Sequence, residues 1–195
     1  MAISAAMVKE LRERTGLGMM DCKKALAEAG GDMDQAIEDL RKKSSLKAAK
    51  KAGRTAANGL LGVKSSEDGT RIALVEVNIE TDFAAKNEKF IAFVSKVAQT
   101  LFDSGDMDSV TQTLNAERET LVQEIGENMA IRRGALVESA SGGLSYYMHG
   151  DQRRGAIVQL ADKHDELGRD LAMHVVAINP MVVKSDELAA DVLDK

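Results

Sequence analysis

An α+β fold is predicted for this chain by three features of its sequence. The first 45 residues contain three short helical patterns, the remainder contains a strand, turn, strand and helix pattern twice, and a basic segment separates the two parts. Repetition of such a pattern indicates two related structural units. The sequence therefore predicts an N-terminal three-helix domain followed by a core of two related antiparallel β-hairpin-plus-helix subdomains, the second of them incomplete.

Three helices are predicted at residues 4–14, 21–29 and 32–43. The second and third helices each place apolar residues at offsets of zero, three, four and seven, which fall in one stripe on a helix. Gly30 and Gly31 interrupt the chain between these helices, and Asp32 can cap the third. The stripe residues are Cys22, Ala25, Leu26 and Ala29 in the second helix, and Met33, Ala36, Ile37 and Leu40 in the third.

A basic segment follows the third helix. Seven lysine or arginine residues lie from Arg41 to Arg54 among small residues. Such a change of composition favours a partly helical linker. We therefore predict a helical domain at residues 1–45, a linker at 46–56, a first core subdomain at 57–140 and a second core subdomain at 141–195.

The two copies of the repeat each begin with a predicted β-hairpin. In the first copy an extended run opens at Gly59, a turn follows at residues 66–69, and a β-rich strand follows at 71–76. The second copy opens at Gly143, turns at residues 150–151 and continues as a strand at 154–159.

Each hairpin leads into a predicted helix, and the lengths of the two connections differ. Leu74 and Phe90 are 16 positions apart, whereas Ile157 and Leu167 are 10 apart, so the first copy has six additional residues near 80–84. Both helices carry mainly apolar residues at matching offsets, which predicts that these face the core. They are Phe90, Val94, Val97, Ala98 and Leu101 in the first copy, and Leu167, Leu171, His174, Val175 and Ile178 in the second.

Further elements are predicted between and after the two copies. Helical segments at residues 108–114 and 116–128 and a strand at 131–138 follow the first copy. A last helix is predicted at residues 185–195. We expect His174 to have a packing role, because it occupies the slot of Val97 in the first copy.

Composition narrows the classes of function. The net charge of -5 argues against nucleic acid as the main partner, since phosphate recognition requires clustered lysine and arginine. The single cysteine excludes an internal disulfide and fits a reducing compartment. The amino end lacks a signal-peptide pattern, and no apolar run has the length of a membrane span. We therefore expect a cytoplasmic protein that does not enter membranes.

Enzymatic chemistry is not indicated by the residues. Gly16-Leu17-Gly18 resembles the start of a dinucleotide fingerprint, but Asp21 stands at the position of the third glycine and no strand precedes it. The three histidines are not spaced as zinc ligands. The acidic residues around His164 favour a solvated turn before a helix over a cation site. We expect no catalytic residues, no metal and no cofactor.

Three motifs resemble the elongation factor Ts family. The first comprises VKELR at residues 8–12 and TGLGMMDCKKAL at 15–26. The second is VNIETDFAAKN at residues 77–87, and the third is IGEN at 125–128 with IRR at 131–133. The resemblance implies a ubiquitin-associated-like first domain and an α/β core. It also implies a nucleotide exchange factor for the GTPase elongation factor Tu, one that acts by binding and is not an enzyme.

The resemblance also assigns residues to the contact with the GTPase. Thr81, Asp82, Phe83 and Ala84, here called the wedge segment, are implied to insert near its magnesium and phosphate site. Met19, Met20 and Lys23, here called the helical patch, are implied to touch the GTPase domain. Core contacts are implied for Ile125 and Gly126, and a contact with a more distal GTPase domain for His149. Ala84 stands where valine is common in the family, which predicts softer packing behind Phe83. Full-length relatives usually continue beyond the length of this chain.

Plainer interpretations stand beside these. Composition alone favours a buried aromatic role for Phe83, whereas the motif favours a contact. We place Met19 and Met20 in a loop between helices, and we assign Cys22 a packing role. The alternative function is a ribosome-associated RNA or nascent-chain binding protein that uses the three-helix domain and the basic linker. Self-association is left open.

Overall fold

The computed structural model describes residues 3–189, which form two compact units. The first unit contains the chain up to Lys64 together with Ala73–Leu136. The second contains Ser65–Ile72 and the chain from Val137 onward. Helices and antiparallel sheets of three and two strands confirm the predicted α+β fold class.

The first unit begins with the three predicted helices. They are α1 (Ala5–Thr15), α2 (Met19–Glu28) and α3 (Met33–Lys51). The side chains of Ser4 and Asp32 cap α1 and α3 by accepting backbone N–H bonds. Their shared core confirms both predicted stripes, with Ala29, Met33 and Ile37 partly buried and the remaining members buried. Val8, Leu11 and Leu17 are also buried in this core.

Helix α3 extends eight residues past its predicted end and contains most of the basic segment. Ser44 and Ala48 are buried on this extension. These small side chains let α3 lie close to another helix, so the segment folds as packed helix. The boundaries at residues 45, 56 and 140 stay a prediction.

A three-stranded sheet follows, in the order β1 (Asn58–Ser65), β2 (Arg71–Ile79), β3 (Met129–Glu138). A short turn joins β1 to β2, so these neighbouring strands are antiparallel. The Ser139 amide donates to the Thr70 carbonyl at 2.8 Å, at the start of β2 and just past the end of β3. Strands β2 and β3 therefore also run antiparallel, and β3 confirms the predicted third strand.

The turn between β1 and β2 is held by Asp68. Its carboxylate accepts the Thr70 hydroxyl at 2.7 Å and the Thr70 amide at 3.0 Å. The hydroxyl bond is the largest cause that lowers the pKa of Asp68 to about 2. Gly69 has φ +71°, and a Cβ there would lie 2.8 Å from the Gly142 carbonyl oxygen, so glycine is required.

Ion pairs join strand β3 to strand β2. Glu76 accepts bonds from Arg132 at 3.0 Å and from Arg133 at 2.7 Å. Partial burial alone would raise the pKa of Glu76, but hydrogen bonds from Arg133 and Asn78 and the two positive charges hold it below its usual value. These two arginines of the third motif therefore stabilise the sheet.

Helices α4 (Asp82–Ala85), α5 (Glu88–Ser104) and α6 (Met107–Ile125) cover the sheet. Every predicted stripe residue of α5 is buried, which confirms that stripe. Helix α4, of four residues, lies where the first copy has its six additional residues. The prediction of two helices in place of α6 was wrong, because Asn115 continues the helix and bonds to Arg118 and Glu119.

The second unit contains β4 (Leu144–Met148) and β5 (Gly155–Gln159), which pair antiparallel with Leu144 opposite Gln159. Helix α7 (Asp165–Ile178) follows. This reproduces the predicted second hairpin and helix. Among the described residues the second sheet has two strands where the first has three.

The predicted stripe of α7 was wrong. The buried residues of α7 are Gly168 and Ala172, and a Cβ at Gly168 would lie 2.2 Å from the Ser145 hydroxyl oxygen. Strand β4 thus packs against the small residues of α7. The large residues of α7 therefore face outward. Leu167, Leu171, His174 and Ile178 are exposed and Val175 is half-buried. The packing role expected for His174 is therefore also wrong.

The helix predicted at residues 185–195 was also wrong in its described part. The structure has a short 3-10 helix at Ser185–Glu187, after which Leu188 is extended. Residues 190–195 lie outside the described residues.

Candidate functional site

The wedge segment forms a turn at the end of β2, and this turn is fixed by a helix cap and by buried residues. Thr81 is extended, and its hydroxyl accepts the Ala84 amide at 3.2 Å, which caps α4. Asp82 follows in the first turn, where a carboxylate favours the helix start. Ala84 and Ala85 are buried in the core of the first unit. The segment is therefore anchored at its cap and on its inner face.

Phe83 points away from this anchor. Its side chain is 81% exposed, and the Lys86 ammonium lies 6.0 Å from its ring centroid. Burying a large aromatic side chain lowers its free energy, so one exposed on a fixed turn is a candidate for a contact. The buried role that composition alone favours for Phe83 is wrong in this structure. Ala84 lies inside and supports the turn.

The helical patch lies at the start of α2. Met19 is 50% and Met20 is 76% exposed, and Lys23 is exposed one turn later. The expectation that the two methionines lie in a loop was wrong, because α2 begins directly after Gly18. Neighbouring Cys22 is fully buried in the helical core, as predicted. Exposed methionines suit a contact surface because they are flexible and polarisable.

Polar contacts at the end of α6 bring the helical patch toward the wedge segment within the first unit. The Gln123 amide donates to Asp21 of α2 at 3.2 Å, and its oxygen accepts the Ser44 hydroxyl of α3 at 2.6 Å. Four residues later, Glu127 accepts both donors of Thr81. Both surfaces therefore adjoin the C-terminal end of α6.

Ile125 and Gly126 lie between these contacts. Ile125 packs partly buried against the core, while Gly126 is exposed and ends α6 with φ +88°. His149 belongs to the second unit and is half-buried. Its ring Nδ1 lies 3.4 Å from the Tyr147 hydroxyl, and its amide donates to the Arg154 carbonyl at 2.9 Å.

The basic segment has its charges largely engaged within the molecule. Arg54 pairs with Glu80 at 3.5 Å, and Lys51 donates to the Gly126 carbonyl. Three more of the seven residues form ion pairs with acidic side chains: Lys42, Lys43 and Lys47. Surface ion pairs are individually weak, but this arrangement offers fewer free cations to a phosphate backbone than the sequence indicates.

Two further properties concern ligands and membranes. Within residues 3–189, no group of three or more His, Cys, Asp and Glu side chains is placed to hold a metal ion. The candidate cation cluster at residues 162–166 is exposed. None of the helices in that range is both long and apolar enough to cross a bilayer.

Comparison with known proteins decides the family. The family model for elongation factor Ts matches residues 80–195. The elongation factor Ts of Saccharophagus degradans is 52% identical over 100% of this chain and 68% of its own length. The chain belongs to the elongation factor Ts family.

Other members of the elongation factor Ts family give the same result. The Teredinibacter turnerae protein is 51% identical over 100% of this chain and 68% of its own length. The Arthrospira platensis protein is 48% identical over 100% of this chain and 81% of its own length. These relatives are named elongation factor Ts, and the resemblance inferred from the motifs is confirmed.

Sequence reasoning missed two polar residues near the end of α6, one within the helix and one just after it. Gln123 bridges α2 and α3, and Glu127 binds Thr81. Glu127 lies in the IGEN motif quoted above, so a signal existed, but its contact with a residue 46 positions away is a property of the fold.

Proposed function

We propose that this elongation factor Ts family member promotes release of GDP from the GTPase elongation factor Tu by binding to it, without forming a covalent bond. The observation that carries the proposal is Phe83, a largely exposed aromatic residue on a capped and core-anchored turn. Members of the family that match the whole chain are named elongation factor Ts.

The mechanism follows from how nucleotide is held. Mg²⁺ bridges the phosphates of a bound nucleotide and requires nearly ideal octahedral geometry. In the proposal, Asp82 and Phe83 insert beside this site and displace its surroundings. A small displacement weakens the coordination of the metal and therefore the binding of GDP. Phe83 supplies apolar contact area, and Asp82 places a negative charge near the metal.

The remaining contacts supply affinity. Met19, Met20 and Lys23 bind the GTPase domain from the helical module, with Ile125 and Gly126 adjoining the wedge segment. His149 contacts a more distal GTPase domain. Coupling between two bound partners is reciprocal, so the chain loosens GDP to the extent that GDP loosens the chain. The result is exchange, which takes place in the cytoplasm.

The experiment is release of fluorescent GDP from purified elongation factor Tu. Adding the folded chain should accelerate release in a concentration-dependent and saturable manner. A release rate that stays at its spontaneous value, with the chain shown to be folded by circular dichroism, would refute the proposal.

A further inference from the structure

Glu127 holds the residue from which the wedge segment begins. Its carboxylate accepts the Thr81 amide at 2.9 Å through Oε2 and the Thr81 hydroxyl at 2.7 Å through Oε1. Two hydrogen bonds to the two oxygens of one carboxylate fix the orientation of Thr81 as well as its distance. Hydrogen bonds to a charged acceptor are also stronger than those between neutral groups. Thr81 is thus held in place by a residue that lies outside the wedge segment.

The position of Glu127 is itself determined on both sides. Gly126 ends α6 in the left-handed conformation, and β3 begins two residues after Glu127. Asn128 is buried, and its side-chain amide donates to the Arg54 carbonyl at 2.8 Å. The backbone amide of Asn128 donates to the Glu80 carboxylate, beside the start of the wedge segment. Glu127 therefore projects from a fixed base.

The path from Glu127 to Phe83 is short. The Thr81 hydroxyl donates a hydrogen bond to Glu127 and accepts one from the Ala84 amide, so the carboxylate selects the rotamer that caps α4. Phe83 is largely exposed, so the backbone of this turn sets the direction of its ring. We infer that Glu127 is a positioning residue, which orients Phe83 through Thr81 and does not itself touch the GTPase. The inference rests on the proposed function.

A purely stabilising role would have different consequences. If Glu127 only adds to folding stability, a folded variant would exchange nucleotide normally. If it orients Phe83, the partner would still bind, because the helical patch is intact, but each bound complex would release GDP more slowly. Misplacement of a working group by about 1 Å can cost up to ~100-fold in rate, so we expect a loss on the order of 10-fold.

The test measures fluorescent GDP release from elongation factor Tu against the concentration of the full chain. Glu127→Ala should lower the maximal release rate on the order of 10-fold and change the half-saturating concentration less than threefold. Glu127→Gln keeps the shape and one acceptor oxygen, so it should fall between Glu127→Ala and the natural chain. Glu119→Ala is the matched control, since Glu119 is a partly buried glutamate of α6 that bonds to Asn115.

A double-mutant cycle with Thr81→Val isolates the pair. The losses in maximal rate should be less than multiplicative, because either change breaks the same link. A wild-type maximal rate in folded Glu127→Ala, a loss confined to half-saturation, or independent losses in the cycle would each overturn the inference. If Glu127→Ala does not fold, Glu127→Gln and Thr81→Val decide by their maximal rates. Failure of the natural chain to accelerate release would instead refute the proposed function.

Discussion

Replacing Phe83 by alanine separates its contact role from any role in folding. Full burial of a phenylalanine side chain is worth about 1.5–3 kcal/mol. Since 81% of Phe83 is exposed in the free chain, a partner can bury about four-fifths of it, worth about 1.2–2.4 kcal/mol. If this contact forms as GDP leaves, Phe83→Ala should slow exchange by about 8- to 60-fold.

The stability of the free chain should respond differently. Exposed side chains contribute little to folding, so Phe83→Ala should change the free energy of unfolding by less than about 0.5 kcal/mol. Phe90→Ala is the matched control, because Phe90 is fully buried. Its removal should cost about 3–5 kcal/mol of folding stability.

The assay combines fluorescent GDP release with urea denaturation of the same preparations. Phe83→Leu should retain most of the exchange activity, since it keeps an apolar contact of similar reach. Exchange by Phe83→Ala at the wild-type rate would refute the contact role. A large loss of stability in Phe83→Ala would refute the exposed placement of the ring.

Three further predictions concern stability, each measured by urea denaturation. Leu171→Ala should cost less than about 1 kcal/mol because Leu171 is exposed, whereas buried Leu101→Ala should cost about 2–5 kcal/mol; equal losses would restore the predicted α7 stripe. Gly16→Ala should cost about 1–3 kcal/mol of folding stability, because Gly16 has φ +73°, a backbone conformation that residues with a side chain rarely adopt. An unchanged urea midpoint would contradict this. Asp68 has a lower pKa in the folded chain than its ordinary 3.8. Its contribution to the free energy of unfolding is therefore fully present above pH 3.8 and is lost as the pH falls toward about 2. Asp68→Asn should remove this part of the acid dependence, and an identical pH profile would count against the turn contacts.

Local patterns made most of the fold predictable. Apolar periodicity predicted helices α1 to α3, both hairpins and the α5 stripe, because in these elements the apolar residues face the core that buries them. The candidate site was readable as a motif, and the extra length of the first repeat matches α4. Whether these residues contact a GTPase stays a prediction.

The misplaced elements share one cause. On α7 the apolar spacing matched α5, but β4 approaches Gly168 so closely that the small face is buried and Leu171 turns outward. On α3 the helix was predicted to end at residue 43, but buried Ser44 and Ala48 keep it packed as far as Lys51. Periodicity gives a stripe without saying which neighbour will cover it.

The sequence by itself determined the family, the α+β class and the position of the motif that contains the wedge segment, since these depend on residues that are adjacent or regularly spaced. Tertiary structure decided that Phe83 is exposed, that Met19 and Met20 belong to a helix, and that Glu127 holds Thr81. The physical reason is distance along the chain. The Glu127 carboxylate and the two Thr81 groups that donate to it lie 46 residues apart in the sequence. No local pattern predicts this contact, because it forms only when α6 and β2 pack together.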